Sequence, residues 1–196
     1  WWSNTNLPEV TTLFFEFHGS ERYVAEQVET VRAIAQANGG GEFRWANRTE
    51  ERNALWKARH EAYYAAINLR PGGVGWATDV CVPMSRLAEC IALTKTDLEA
   101  SLIPATILGH VGDGNFHVVF ALNPDDPAEL AEVEGINRRL VERALSMDGT
   151  CTGEHGIGIG KQDFLVDELG EAVDLMRAVK AALDPHGLLN PGKIFQ

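Results

Sequence analysis

Two histidines bracket a short glycine-rich turn in GHVGDGNFH, Gly109–His117. If Asp113-Gly114 is the two-residue turn of a β-hairpin, the register opposes Gly112 to Asn115, Val111 to Phe116 and His110 to His117. Directly opposed residues hold their Cβ atoms about 4.5–5.5 Å apart on one sheet face, close enough for two imidazoles to share a metal ion. Further along, TGEHGIGIGK (Thr152–Lys161) sets Glu154 beside His155 among glycines that let the backbone approach a ligand closely. This acid–histidine pair can supply a further metal ligand and a general acid or base. The stretch is not a phosphate loop of the Walker kind, because His155 stands where the first glycine belongs and Gln162 follows Lys161. A third candidate is Arg59, whose planar fork suits a carboxylate; on one continuous helix it would share a face with Trp56 and Tyr63. Each has a plainer reading as well: surface or core histidines, a tight polar loop, a snorkelling arginine.

These residues need elements to position them. Val10–Gly19 is rich in β-branched and aromatic residues and predicts a strand. Ser20 then caps a helix carrying Val24, Val28, Val31 and Ala35 at helical spacing, which NGGG ends. A short strand is expected at EFRWA, Glu42–Ala46. Thr49 caps a helix that runs on to Leu69, where RPGG breaks it. Val74–Pro83 predicts a strand, SRLAECIALTKTDLEAS a helix, IPATILGH a strand and FHVVFAL the second arm of the hairpin. DPAELAEVEGINRRLVERALSMDG reads as a long amphipathic helix, with further helices before LDPHGLLNPGKIF. The pattern predicts an α+β fold: a ferredoxin-like antiparallel sheet with helices on one face, plus additional C-terminal helices.

Composition narrows the function. The chain has 196 residues, 45% of them hydrophobic and 23% charged, as expected of one globular domain. No apolar run approaches the ~20 residues a membrane span needs. A formal charge of −11 with 17 scattered basic residues argues against a nucleic-acid partner. The three cysteines form no C-x-x-C pair, which speaks against a disulfide framework or a cysteine zinc site and for a reducing compartment. The opening WWSNTNLPEV has no targeting signature and reads as a piece of a longer protein.

Together, GHVGDGNFH, TGEHGIGIGK and NPGK (Asn190–Lys193), with LWKARHEAYYA, TDVCVPMSRLAE and LDPHGLLNPGKIF, resemble the C-terminal domain of FAD-linked oxidases acting on 2-hydroxy acids. The cytochrome-linked D-lactate dehydrogenases are the group they resemble most. The resemblance implies that residues 1–196 are a substrate- and metal-binding cap domain, with FAD bound mainly by an N-terminal domain not in this sequence. It implies His110, His117 and Glu154 as ligands of a divalent metal, zinc first, with manganese or iron as alternatives. It places His155 beside the substrate, Arg59 on the substrate carboxylate and Asn190 near the flavin. Related D-2-hydroxyglutarate dehydrogenases carry a lysine where this chain has Ala77 and an asparagine where it has Val119. Loss of both polar groups points to a small monocarboxylic substrate such as D-lactate. The implied partners are that 2-hydroxy acid and a cytochrome, quinone or flavoprotein electron acceptor. The implied compartment is the cytoplasm, with peripheral attachment at the inner membrane, or alternatively the mitochondrial matrix. Two rival classes stay open on the residues alone: a self-sufficient metal hydrolase, and a non-catalytic α+β binding module.

Overall fold

The computed structural model describes residues 10–195. The chain divides into two units, Trp1–Ala62 and Tyr63–Gln196. In the first, Ser20 adopts extended backbone and accepts the Tyr23 N–H, opening α1 (Glu21–Ala37) as its sequence predicts. Val28 is buried and Val24, Val31 and Ala35 are half-buried, so the expected stripe is the packed face. The chain leaves α1 through Asn38 and Gly39. Helix α2 is Thr49–His60; Thr49 is its first residue, and the cap position belongs to Arg48, which makes no side-chain capping bond.

Three expectations fail in this part of the chain. Neither Val10–Gly19 nor Glu42–Ala46 forms a strand. β-propensity describes fitness for a pleated, half-buried surface, and neither segment pairs with a neighbouring strand among the described residues. Rings of the first segment pack against other rings instead, Phe14 against Trp56 and Phe15 against Phe17, while Arg32 of α1 lies over Phe43 of the second. The long helix through Leu69 is also interrupted, at Glu61, where ψ is −1°. Tyr63 therefore belongs to the next helix, α3 (Ala62–Ile67), so Trp56, Arg59 and Tyr63 are not on one continuous helix.

After the RPGG turn come β1 (Val74–Ala77), β2 (Val80–Cys81), α4 (Met84–Glu99) and β3 (Ala105–Leu108). A 3-10 turn, Val111–Asp113, leads into β4 (Asn115–Leu122), followed by α5 (Pro127–Ser146), α6 (Gln162–Leu169) and α7 (Ala172–Leu183). Every strand pairs antiparallel with β4, whose residues are all buried. β1 and β2 lie along β4 in one continuous register, Ala77 opposite Val119 and Val80 opposite Phe116. The single strand predicted over Val74–Pro83 is thus one line broken at Thr78–Asp79. There the Val118 N–H turns to the Thr78 hydroxyl, at 2.8 Å.

Alternation along β4 sorts its two faces. Phe116, Val118, Phe120 and Leu122 join Leu87 and Cys90 of α4, Val133, Ile136 and Leu140 of α5, and Phe164 of α6 in the core. Each large apolar side chain buried there contributes about 1.5–3 kcal/mol. Asn115, His117, Val119 and Ala121 point the other way, toward the side on which Ile67 and Tyr63 of α3 pack over Gly75. The class is α+β, as the sequence predicts. A complete ferredoxin-like sheet would add a fourth strand after α5; among the described residues that place holds one bridge, Cys81 to Thr150.

The hairpin register differs from the expected one. Leu108, not His110, stands opposite His117. A two-residue I′ turn needs positive φ at both central residues, and Asp113 does not adopt it. Gly114 alone does, at +79°, and the connection tightens into the 3-10 turn, with the Asp113 N–H bonded to the His110 carbonyl at 2.9 Å.

Candidate functional site

The break between β1 and β2 creates the site. Continuing the register through it sets Asp79 against His117, on the sheet face away from the core, and Asp79 Oδ1 lies 3.6 Å from His117 Nδ1. His117 is buried, and its Nδ1 is 3.0 Å from the Thr78 carbonyl. A carbonyl only accepts, so Nδ1 carries the proton, and in the neutral ring the Nε2 lone pair is left facing outward. That Nε2 is 2.9 Å from Glu154 Oε1. Two lone pairs facing each other at this distance need a proton or a cation between them. His155 Nε2 lies 3.4 Å from the same carboxylate oxygen, and the two imidazole rings are 5.2 Å apart. Donor atoms held about 2.0–2.1 Å from a tetrahedral ion stand roughly 3.3–3.4 Å from one another; the Glu154–His155 separation matches that value, and His117 and Glu154 stand closer together.

Asp79, His117 and His155 also offer ligand atoms within 4.8 Å of one another. Asp79 is nevertheless poorly suited to a cation. Its carboxylate accepts from Asn115 Nδ2, Thr152 Oγ1, Lys161 Nζ and the N–H groups of Gly153, Glu154 and His155. Burial by itself raises the Asp79 pKa. The hydrogen bonds from Lys161, the His155 N–H and Asn115, with the Lys161 charge, override that and hold the carboxyl well below the usual carboxylate range. Its lone pairs are filled and an ammonium already neutralises it. Gly153 is required for this approach: a Cβ there would fall 1.7 Å from Asn115 Nδ2. The far side of the glycine loop is tied to the C-terminal turn, through Ile194 N–H to the Gly158 carbonyl at 2.7 Å and Gln162 Nε2 to the Gly192 carbonyl at 2.8 Å.

Of the residues expected from sequence, His117, Glu154 and His155 are brought together. His110 is exposed and outside this cluster; extending the β3–β4 register past Leu108 puts it across from Asn115, diagonal to His117. Asn190 is exposed, with φ of +47°, in the turn that the Lys193 N–H closes. Arg59 lies in the first unit, in the last turn of α2. Ala77 and Val119 oppose each other directly, on the same face as His117 and next to it along the ladder. Sequence reasoning missed Asp79, Asn115 and Lys161. A lone acid inside an apolar strand was the available signal for Asp79. The cysteines are free, and burial, with Glu168 beside it, pushes the Cys151 thiol up to about 12, which removes it as a thiolate ligand.

The sequence matches the family described as FAD linked oxidases, C-terminal domain, over residues 2–194. It is 51% identical over 195 residues to "Probable D-lactate dehydrogenase, mitochondrial" of Danio rerio, covering 99% of this chain and 39% of that protein. It is 46% identical over 191 residues to "D-lactate dehydrogenase [cytochrome], mitochondrial" of Arabidopsis thaliana, covering 97% of this chain and 34% of that one. To "Glycolate oxidase subunit GlcD" of Bacillus subtilis it is 34% identical over 184 residues, covering 93% and 39%. The chain spans less than two fifths of the length of each of these relatives.

Proposed function

The chain belongs to the FAD-linked oxidase C-terminal domain family, and from that we propose that it is the substrate- and metal-binding cap domain of a flavin-dependent D-2-hydroxy-acid dehydrogenase that oxidises D-lactate to pyruvate. The observation that carries this reading is the contact of His117 Nε2 with Glu154 Oε1, beside His155. When bound, a divalent ion (zinc first, manganese or iron as alternatives) polarises the substrate's hydroxyl and carboxylate oxygens, and FAD accepts the hydride from Cα. Two imidazoles and a carboxylate suit such an ion and leave positions open for substrate. His117 and Glu154 would hold it, with His110, which lies outside their cluster, as the further ligand that the family resemblance implies.

His155, more than half exposed, takes the substrate hydroxyl proton on its ring as the Cα hydride departs and the alcohol becomes a ketone. Arg59 clamps the substrate carboxylate, and Asn190 lies near the flavin. Ala77 and Val119, facing each other beside His117, offer no partner to a second carboxylate and so favour a short aliphatic hydroxy acid. The similarity to a glycolate oxidase subunit favours glycolate as a further small substrate. Names of the D-lactate dehydrogenase relatives support a cytochrome as electron acceptor, ahead of a quinone or flavoprotein, and a mitochondrial location ahead of the cytoplasm.

The test uses the full-length protein. D-lactate should bleach its flavin absorbance under anaerobic conditions, chelation should abolish the bleaching, and added zinc or manganese should restore it. A metal-replete flavoprotein that D-lactate, glycolate and D-2-hydroxyglutarate all fail to reduce would sink the reading.

A further inference from the structure

We propose that Asp79 is the positioning residue of this site: its carboxylate shapes the backbone of Gly153–His155 and thereby aims Glu154 and His155, without itself binding ion or substrate. The inference rests on the roles given above to Glu154 and His155.

Three successive backbone N–H groups converge on this one side chain. Gly153 N and His155 N reach Oδ2 at 3.0 and 3.1 Å, while Glu154 N divides itself between Oδ1 and Oδ2 at 3.2 and 3.3 Å. Consecutive N–H groups pointing into one concavity are the arrangement the backbone adopts around an anion. Here the anion is part of the protein, so the concavity is occupied before any ligand arrives. A carboxylate has about four lone-pair sites, and donors from six residues already share them, leaving none directed at a cation. Lys161, mostly buried, balances the charge at 2.8 Å and also donates to the Asp79 carbonyl at 2.9 Å, locking the acid to its own backbone.

The side chains that meet the reaction are far less held. Those of Glu154 and His155 are 47% and 59% exposed, so their aim depends on the backbone that carries them. That backbone is a glycine loop, and no helix or strand of its own fixes residues 153–155. Asp79 also stands beside the imidazole Nδ1 of His117, and the adjacent Thr78 carbonyl sets that ring's tautomer. One interruption in one strand therefore orients all three reacting side chains. Partners of this kind, though not ligands, typically cost 10–100-fold in affinity or activity when altered.

The variant to test is Asp79→Asn in the full-length enzyme. It keeps the size and planar shape of the carboxylate, and exchange protection of β4 and α5 reports that the unit has folded. Hydrogen–deuterium exchange on chelator-treated protein should show the 152–161 peptide exchanging at least about tenfold faster than wild type, with β4 and α5 peptides unchanged. In the metal-replete enzyme, kcat for D-lactate should fall about 10–100-fold. The pair Asp79→Asn with Lys161→Met should stay equally slow. Wild-type protection of the 152–161 peptide would overturn the proposal. So would loss of protection across the whole unit, which marks a residue of general stability. Recovery of kcat in the double variant would overturn it too, tracing the damage to a stranded ammonium. Failure of the metal reading shows separately, as wild-type activity indifferent to chelation, and the exchange comparison stands on metal-free protein.

Discussion

Asp79 faces His117 along the ladder of β4, its Oδ1 3.6 Å from the imidazole Nδ1, in the relationship that the spacing of GHVGDGNFH suggests for His110. An acid that is hydrogen-bonded to saturation and a histidine whose Nδ1 proton is committed to a carbonyl make a rigid floor. What varies above that floor is the set of side chains that can reach His117 Nε2.

That geometry separates the candidate ligands. Calorimetric zinc titration of the chelated full-length protein should show stoichiometric binding, abolished by His117→Ala and weakened at least about tenfold by His110→Ala. His155→Ala should leave zinc affinity within about threefold while removing most of kcat. The opposite pattern, with His155→Ala as damaging to zinc binding as His117→Ala and His110→Ala harmless, would make His155 the third ligand.

Arg59 is expected to act on the substrate carboxylate. Charge-assisted hydrogen bonds contribute about 1.5–3 kcal/mol, so Arg59→Ala should lower kcat/KM for D-lactate by about 10–150-fold. Arg59→Lys should recover little of this, because an ammonium cannot make the bidentate contact. Unchanged steady-state kinetics in Arg59→Ala would remove it from the site.

The pair Ala77 and Val119 is expected to set substrate length. Wild-type enzyme should prefer D-lactate to D-2-hydroxyglutarate in kcat/KM. Ala77→Lys with Val119→Asn, side by side on the His117 face, should shift the ratio toward the dicarboxylate by roughly tenfold or more. A wild-type preference for D-2-hydroxyglutarate would contradict this assignment.

Asp184 offers a pH test away from the site. It accepts from Lys180 Nζ and from the N–H groups of Leu189 and Leu188, and these hold its pKa at about 2, against an ordinary 3.8. A carboxyl with a lowered folded-state pKa stabilises fully above the ordinary value and loses that contribution as pH falls through the folded one. Thermal melting followed from pH 5 to 2 should therefore show a shallower decline below about pH 4 in Asp184→Asn than in wild type. Parallel declines would show that Asp184 is not linked to folding.

By itself the sequence determined the elements whose signals act within a few residues. Ser20 announces α1 through its own hydroxyl, NGGG ends it, and the apolar run FHVVFAL declares a buried strand. Glu154 beside His155 among glycines, and the histidine near the start of β4, already pointed to three side chains that the fold brings together. Tertiary structure decided which segments meet. Aromatic residues could not make strands of Val10–Gly19 and Glu42–Ala46, which pair with no other strand among the described residues. The positive φ at Gly114, without one at Asp113, moved His117 from its expected partner to Leu108. Asp79 carries no local signature beyond being a lone acid in an apolar strand, because its side-chain partners lie 36 to 82 positions further along the chain, from Asn115 to Lys161. Capping and periodicity act within a turn or a pleat, whereas register and the gathering of donors around a buried charge belong to segments that only folding brings together.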